Sequence, residues 1–274
     1  MPELPEVETL KRELSIIVDK KFKLASIFAS QLKNKKIISV ERRAKILIIT
    51  LSGEQKLLIH LKMTGQLIYQ PKVGKLVIGG HPDPSADGNP FKYTRAEFIF
   101  TDQSKLYFND LRKFGWLKLL NKTESEKILN KHGVEPLSKL FTFQNFQNLL
   151  QKYPNRKLKQ FLLDQSLIAG LGNIYVDEAC FLAKILPTRT VKSLTKLEQK
   201  NLHTSIIKIL KLSIAKKGTS AKNYIRSDGT KGGFVPYLKV YGRKNEKCKR
   251  CKTGVIQKIK FAGRGTHFCE NCQG

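Results

Sequence analysis

Acidic residues are scarce in this sequence. Only 22 Asp+Glu stand against 51 Lys+Arg in 274 residues, a formal net charge of +29. That excess is larger than solubility requires and selects a polyanionic partner. Long apolar runs are missing too. No stretch of about 18 apolar residues occurs, which excludes a membrane-spanning helix. The N-terminus lacks the basic-then-apolar pattern of a secretory signal, so a cytoplasmic, nucleoid-associated protein is expected. Cysteines number five. In a reducing compartment they argue against disulfides and towards a metal site. No Ser/His/Asp order appears. His81, His132 and His203 form no cluster and, with Cys180, read as core or surface residues. The glycine-rich stretch Ala169-Gly170-Leu171-Gly172-Asn173-Ile174-Tyr175 is followed by no Gly-Lys-Ser/Thr and preceded by no strand, so neither a P-loop nor a dinucleotide fingerprint is present. Apolar content is 41%, enough for folded domains rather than a charged disordered chain.

What is present starts with Met1-Pro2-Glu3-Leu4-Pro5-Glu6. Once Met1 is removed, the Pro2 nitrogen is a free secondary amine. Such an amine attacks an aldehyde-level carbon and forms an iminium ion, as a lysine does in a Schiff base. An α-amino group titrates near pH 8, roughly two units below lysine, so more of it is nucleophilic at neutral pH. Glu3 beside it suits general acid–base work. The plainer reading is a helix start, because Pro5, Glu6 and Glu8 all suit the first turn. Val7, Leu10, Leu14, Ile17 and Val18 recur at helical spacing and predict one amphipathic helix over 5–19.

From Lys36 the pattern changes to β-like runs at 37–40, 46–51 and 57–61, with a turn at Ser52-Gly53-Glu54. A hairpin centred on Gly53 puts Lys45 across from Leu61, near His60, Lys62 and Met63. Arg42-Arg43-Ala44-Lys45 is then a basic approach to a buried strand, or simply a solvated strand end. Residues 71–92 hold four prolines, Gly79-Gly80 and Asp87-Gly88, and read as a loop insertion. A second hairpin runs from Ala96 to Phe108. It leads into Asp110-Leu111-Arg112-Lys113-Phe114-Gly115-Trp116, where two cations and an aromatic could grip phosphate and wedge between bases.

The second half is helical. Capping boxes are expected at Thr123–Glu126 and Thr195–Glu198, and helices at 142–153, 158–163, from the 169–175 turn to about 183, and up to Lys216-Lys217-Gly218. The turn before Asn173 offers free N–H groups to an anion. Residues 219–235 read as a Gly/Ser/Asp-rich mobile loop. The strongest local motif is the tail: Cys248-x2-Cys251 and Cys269-x2-Cys272, with 17 residues between the pairs. That spacing fits one closed, structural four-cysteine zinc site. Lys258, Lys260, Arg264 and His267 between the knuckles make a basic hairpin suited to a DNA groove.

Taken together, these residues resemble the bacterial formamidopyrimidine-DNA glycosylases (Fpg). The shared segments are Met1 to Thr9, Arg42 to Lys45, His60 to Gly65, Asp110 to Gly115, Leu162 to Gln165, Ala169 to Tyr175, Val240 to Arg243 and Gly263 to Cys269. The chain departs from the family's pattern in a short 20–35 segment, in the 71–91 insertion, and at Tyr93 and Arg95, where histidines are common. The resemblance implies an α+β fold. Its parts would be an N-terminal β-sandwich with a flanking helix (1–120), a helix–two-turn–helix domain (121–235) and a four-cysteine zinc-finger hairpin (236–274), with DNA in the cleft between the halves.

It also implies an activity: bifunctional DNA glycosylase and AP lyase on 8-oxoguanine and ring-opened purines. Pro2 would be the nucleophile, Glu3 the acid at the sugar oxygen, and Lys45 a further catalytic residue on a phosphate. Met63, Arg112 and Phe114 would fill the gap left by the flipped base, with Arg112 facing the orphaned cytosine. His60, Asn173, Tyr241, Lys258 and Arg264 would contact DNA, and Glu6 would organise the site. Zinc is the one expected cofactor and damaged double-stranded DNA the expected partner, met by a monomer. Two rivals stand beside this reading. One is an endonuclease VIII-like glycosylase for oxidised pyrimidines, disfavoured by Leu4 and the Arg112/Phe114 pair. The other is a catalytically silent zinc protein that binds DNA.

Overall fold

The computed structural model describes residues 1–80, 91–219 and 233–274. The chain divides into two compact units, Met1–Asn130 with Lys216–Val235, and Lys131–Ala215 with Pro236–Gly274. No helix among the described residues is long and apolar enough to cross a membrane. His81, and the Ser227-Asp228-Gly229 and Gly232 part of the expected 219–235 loop, lie outside the described residues.

The first unit opens with α1 (Leu4–Leu14), continued by a 3-10 turn at Ser15–Ile17. The expected single helix over 5–19 thus tightens after Leu14 and ends where Asp19 turns left-handed at φ 70°. The ambiguous 22–35 stretch forms β1 (Phe22–Ala25) and a short α2 (Ala29–Leu32). Then follow β2 (Ile37–Arg43), β3 (Ile46–Leu51), β4 (Lys56–His60), β5 (Gly65–Gln70), β6 (Val77–Gly80), β7 (Thr94–Phe100), β8 (Lys105–Asp110), β9 (Trp116–Leu120) and α3 (Lys122–Leu129). The strands form two antiparallel sheets, β1-β7-β8-β5-β6 and β2-β3-β4-β9.

The side-chain period of 2 explains how the sheets share a core. Leu47, Ile49, Leu51, Leu57 and Ile59 point from one sheet into a cluster with Leu67, Tyr69, Phe98, Phe100 and Phe108 of the other. Val7, Leu10 and Leu14 of α1 close that cluster. The alternate residues Ile46, Ile48 and Leu58 meet Trp116, Leu120, Ile128 and Leu129 on the opposite face. With both faces covered, β3 reads as a continuous apolar run rather than an alternating one.

Two local expectations are corrected. Gly79-Gly80 is not loop punctuation. Both residues belong to β6, paired with β5. A Cβ on Gly79 would lie 2.2 Å from Leu10 Cδ1, so the glycine lets α1 rest on the sheet. The cap of α3 is Asn121, not Thr123: Asn121 Oδ1 accepts the Glu124 N–H at 2.9 Å and Glu124 Oε2 accepts the Asn121 N–H at 3.2 Å. Strand β9 runs to Leu120, so the helix has to start two residues earlier than the Thr123 motif suggests.

The second unit holds α4 (Phe143–Lys152), α5 (Leu158–Leu163), α6 (Asn173–Ala183), α7 (Lys196–Ala215) and the hairpin β10 (Gln257–Phe261) with β11 (Arg264–Phe268). Thr142 caps α4 by accepting the Asn145 N–H at 3.1 Å. The Thr195–Glu198 box forms as expected, at 2.7 and 3.2 Å. Cys180 is wholly buried, and His203 stacks on Phe141 with ring centroids 4.8 Å apart.

Candidate active site and nucleic-acid interface

In the first unit, Pro2, Glu3 and Lys45 are all buried, Lys45 only 5% exposed. Lys45 is therefore not a solvated strand end. Glu3 is the N-cap residue of α1 and forms a capping box with Glu6. The Glu3 N–H donates to Glu6 Oε2 at 2.9 Å. Glu6 Oε1 accepts from both the backbone and the hydroxyl of Thr219. The Met1 amine, one residue before Pro2, has a pKa held below its ordinary 8.0, chiefly because burial disfavours the charged form; Lys45 adds to this, while Glu3 and Glu6 oppose it. Glu3, Glu6 and Lys45 are thus the charges that act on the chain start at Met1.

Lys45 is set by the turn between β2 and β3. Ala44 is left-handed at φ 55° and buried. Arg42 spans from that turn to α1: Nη1 donates to the Ala44 carbonyl at 2.9 Å and Nε to Glu8 Oε2 at 3.0 Å. Burial works to raise the Glu8 pKa, but hydrogen bonds from Arg42 and Arg12 outweigh it and hold the carboxyl low. Glu8 and Arg42 therefore stay paired as ions. The β3–β4 ladder pairs Ile46 with His60, which puts Lys45 opposite Leu61, as the sequence predicts.

Two connections run side by side from one sheet to the other: 61–64, between β4 and β5, and 111–115, between β8 and β9. His60 pairs with Trp116 at one end and Gly65 with Asp110 at the other. Asp110 is 1% exposed and ties them together. Its Oδ1 takes the Thr64 hydroxyl, and its Oδ2 takes the Gly115 N–H at 2.6 Å. Thr64 Oγ1 in turn accepts the Arg112 N–H at 3.1 Å. Tyr93 accepts the Asp110 N–H through its carbonyl at 3.0 Å, and Arg95 Nε donates to the Asp110 carbonyl at 2.9 Å. A Cβ on Gly115 would strike Phe108 at 2.7 Å, so the chain turns there only as glycine.

The two tips project from that anchored base. Met63 is 40% and Phe114 52% exposed, and the Arg112 guanidinium lies 4.6 Å over the Phe114 ring. His60 Nδ1 accepts the Lys62 N–H at 2.9 Å, which assigns the ring proton to Nε2 as a donor.

In the second unit, Gln165 shapes the turn before α6. It donates to the Leu163 and Leu171 carbonyls at 2.9 and 2.8 Å and accepts the Gly170 N–H at 3.0 Å. Asn173 then opens the helix and donates through Nδ2 to the Gly265 carbonyl of the hairpin at 2.8 Å. Lys258 and Arg264 are exposed on that hairpin. His267 is not: it is 5% exposed. Both its N–H and its Nδ1 lie on Asp177 Oδ2, at 2.9 and 3.1 Å. It belongs to the interior rather than to a DNA-facing row. Lys159 completes this cluster, with Nζ 2.6 Å from Asp177 Oδ1 and 3.1 Å from the Gly265 carbonyl. Tyr241 packs its ring 4.9 Å from His267, and its N–H is one of three, with Lys239 and Val240, on the buried Glu178 carboxylate.

The four tail cysteines converge, their sulfurs all within 4.8 Å of one another. Cys248 and Cys272 sulfurs are 3.6 Å apart and those of Cys251 and Cys269 3.8 Å. A tetrahedral site with Zn–S of about 2.3 Å needs S···S edges of about 3.8 Å, so the set fits zinc. N–H groups of Arg250 and Gly254 point at the Cys248 and Cys251 sulfurs at 3.3 and 3.2 Å, as thiolate ligands require.

Sequence reasoning missed several supports of these sites: Arg42 with Glu8, Asp110 with Thr64, Thr219, and the Lys159–Asp177 pair. The motif segments contain Arg42, Glu8, Thr64 and Asp110, but nothing local marks which atoms they hold.

Comparison with known proteins agrees with this architecture. Residues 1–117 match the formamidopyrimidine-DNA glycosylase N-terminal domain, 132–224 the formamidopyrimidine-DNA glycosylase H2TH domain, and 245–274 the zinc finger found in FPG and IleRS. The formamidopyrimidine-DNA glycosylase of Cytobacillus firmus is 41% identical over 291 residues, covering 100% of both chains. The crystal structure of the MutM (Fpg) protein from Thermus thermophilus superposes with a TM-score of 0.84 at 34% identity, covering 100% of this chain and 99% of that one. The Lactococcus lactis Fpg in complex with DNA containing an abasic site gives 0.85 at 36%, covering 99% of each. This chain belongs to the formamidopyrimidine-DNA glycosylase family, as a DNA-repair glycosylase with a zinc finger.

Proposed function

We propose that the chain removes oxidised purines, 8-oxoguanine and formamidopyrimidines, from duplex DNA and then cuts the strand as an AP lyase. The observation that carries the reading is the set of groups around the chain start. Pro2 is buried directly beside Glu3, and Glu3, Glu6 and Lys45 are the charges that act on the Met1 amine one residue before it. With Met1 removed, the Pro2 lone pair attacks C1′ and the glycosidic bond breaks, its electron pair leaving with the base. Glu3 protonates the sugar ring oxygen, which opens the ring and leaves an iminium ion on Pro2. The iminium acidifies the C2′ proton. Its loss expels the 3′ phosphate, and a second elimination expels the 5′ phosphate.

Glu6 positions Glu3, because its oxygens are taken up by the Glu3 and Thr219 donors. Lys45 holds a phosphate beside the nucleophile. Met63, Arg112 and Phe114 occupy the gap left by the flipped nucleotide, and their exposure on an anchored base suits that task. His60, Asn173, Tyr241, Lys258 and Arg264 grip the backbone. Cys248, Cys251, Cys269 and Cys272 hold one zinc, which supplies folding energy to the hairpin and takes no part in the chemistry. The protein acts as a monomer on damaged double-stranded DNA.

The test is borohydride trapping on an 8-oxoguanine duplex, followed by peptide mapping. The adduct is expected on Pro2. Protein that retains Met1 should bind but not cut, because an acylated nitrogen has its lone pair delocalised. Glu3→Gln should bind and excise poorly. An adduct on Lys45, or full activity with Met1 in place, would overturn the assignment. Faster excision of thymine glycol than of 8-oxoguanine would favour the pyrimidine enzyme instead.

A further inference from the structure

Arg95 is a charged group of the first unit that this chemistry does not use. Strand β7 gains one residue against β8 there: Thr94 pairs with Asn109 and Ala96 with Phe108, so Arg95 is the extra residue of a β-bulge. A bulge breaks the ladder locally and re-aims the side chain at that position. The Arg95 side chain is exposed, yet its Nε–H donates to the Asp110 carbonyl at 2.9 Å. Bulge and hydrogen bond together fix a guanidinium at the base from which the 61–64 and 111–115 tips project.

That bond uses one of the five N–H donors of an arginine. Among the described residues, the Nη1 and Nη2 donors of Arg95 meet no acceptor and the guanidinium has no carboxylate partner. Asp110 does not supply one, because its carboxylate oxygens take the Thr64 hydroxyl and the Gly115 N–H. The free end is therefore the Nη1/Nη2 edge, whose spacing matches two oxygens of one phosphate. A base edge is the poorer fit. Met63, Arg112 and Phe114 stand on the projecting tips, whereas Arg95 is pinned to the residue just before one of them. Where the tips enter a duplex, their base meets the sugar–phosphate backbone.

We propose that Arg95 is a further DNA-binding residue, which grips one phosphate of the undamaged strand beside the orphaned base. The strand assignment rests on the reading in which Arg112 faces that base, because the carbonyl that holds Arg95 lies two residues before Arg112.

The test measures the affinity of full-length, zinc-loaded protein for a duplex with a tetrahydrofuran abasic analogue opposite cytosine, as a function of salt. Arg95→Gln keeps a neutral donor for the Asp110 carbonyl and loses the charge. It should weaken binding about tenfold and make the slope of log affinity against log salt shallower by about 0.9, the share of one phosphate. Arg95→Lys should keep the slope and lose less affinity. An arginine that only braced Asp110 would give the reverse order, with the slope unmoved in Arg95→Gln. A neutral methylphosphonate is then placed at each phosphate of both strands in turn. At one phosphate of the undamaged strand it should weaken the wild type and leave Arg95→Gln unaffected. An unchanged slope in Arg95→Gln, shown by circular dichroism to be folded, would overturn the proposal. So would a sensitive phosphate found on the lesion strand alone. The reading of Arg112 fails separately: Arg112→Ala would leave the opposite-base preference unchanged while the Arg95→Gln slope still became shallower.

Discussion

Glu6 Oε1 accepts both the backbone N–H of Thr219, at 2.7 Å, and its hydroxyl, at 2.8 Å. The partner lies 213 positions downstream, and one carboxylate thereby fixes the start of α1 to the segment that returns to the first unit at Lys216. Gly218 makes the approach feasible: at φ +83° it turns the chain, and a Cβ there would sit 3.1 Å from the same oxygen. Glu6→Gln should lose one of the charge-assisted bonds, about 2 kcal/mol. That corresponds to a fall in Tm of about 4–8 °C for a chain of this size. Borohydride trapping should slow as well, because Glu3 loses its anchor. Thr219→Val, which keeps the backbone N–H, should cost about 1 kcal/mol or less. Equal losses in the two variants would show that the Glu6 charge is not what matters.

Lys159 and Asp177 form a fully buried ion pair, 2.6 Å apart. Removing one partner of such a pair costs about 3–5 kcal/mol, because the other charge is left buried. Lys159→Met should show this in urea unfolding followed at the second unit. Lys159→Met/Asp177→Asn together should cost less than the sum of the singles. Strict additivity would mean that the two charges are stabilised independently.

Chelation of zinc, or Cys269→Ser, should unfold the segment from about residue 244 to 274 and leave the sandwich intact. Strand β10 buries little of its own: four of its five residues are exposed. Metal binding is therefore folding energy for it. Hydrogen exchange resolves the two regions. Full lesion-DNA binding by protein verified to be zinc-free would contradict this.

Arg112→Ala should narrow the preference for 8-oxoguanine opposite cytosine over adenine. A lost bidentate base contact costs about 1–3 kcal/mol of discrimination, roughly 5–150-fold in relative kcat/KM. Phe114→Ala should weaken lesion binding without changing thermal stability, because the ring is 52% exposed. A Tm loss equal to that of a core phenylalanine would show that the ring packs inward.

Much of the architecture was legible because it rests on local rules. The helix over 142–153, the Thr195–Glu198 box and the cysteine spacing each involve residues close in sequence whose geometry the backbone itself sets. The β3–β4 register followed from one turn at Gly53 and a period of 2. The reading failed where a residue's role comes from a distant neighbour. Gly79 and Gly80 look like loop punctuation until Leu10 is seen over the first and the β5 backbone against the second. His267 looks like one more cation in a basic hairpin until Asp177 is seen beneath it. Thr123 and Asn121 both carry a cap signature, and the end of β9 chooses between them.

The sequence by itself determined which groups are available: an amine at the chain start, two acids beside it, a basic hairpin, four thiols at metal spacing. Those are matters of composition and spacing, and they persist in the unfolded chain. Only the tertiary structure decided which of these groups are buried and which oxygen each donor meets. Lys45 becomes a buried cation through Arg42 and Glu8, and Glu6 becomes a brace through Thr219. Burial and long-range hydrogen bonds depend on packing between elements far apart in sequence, and no local pattern encodes that.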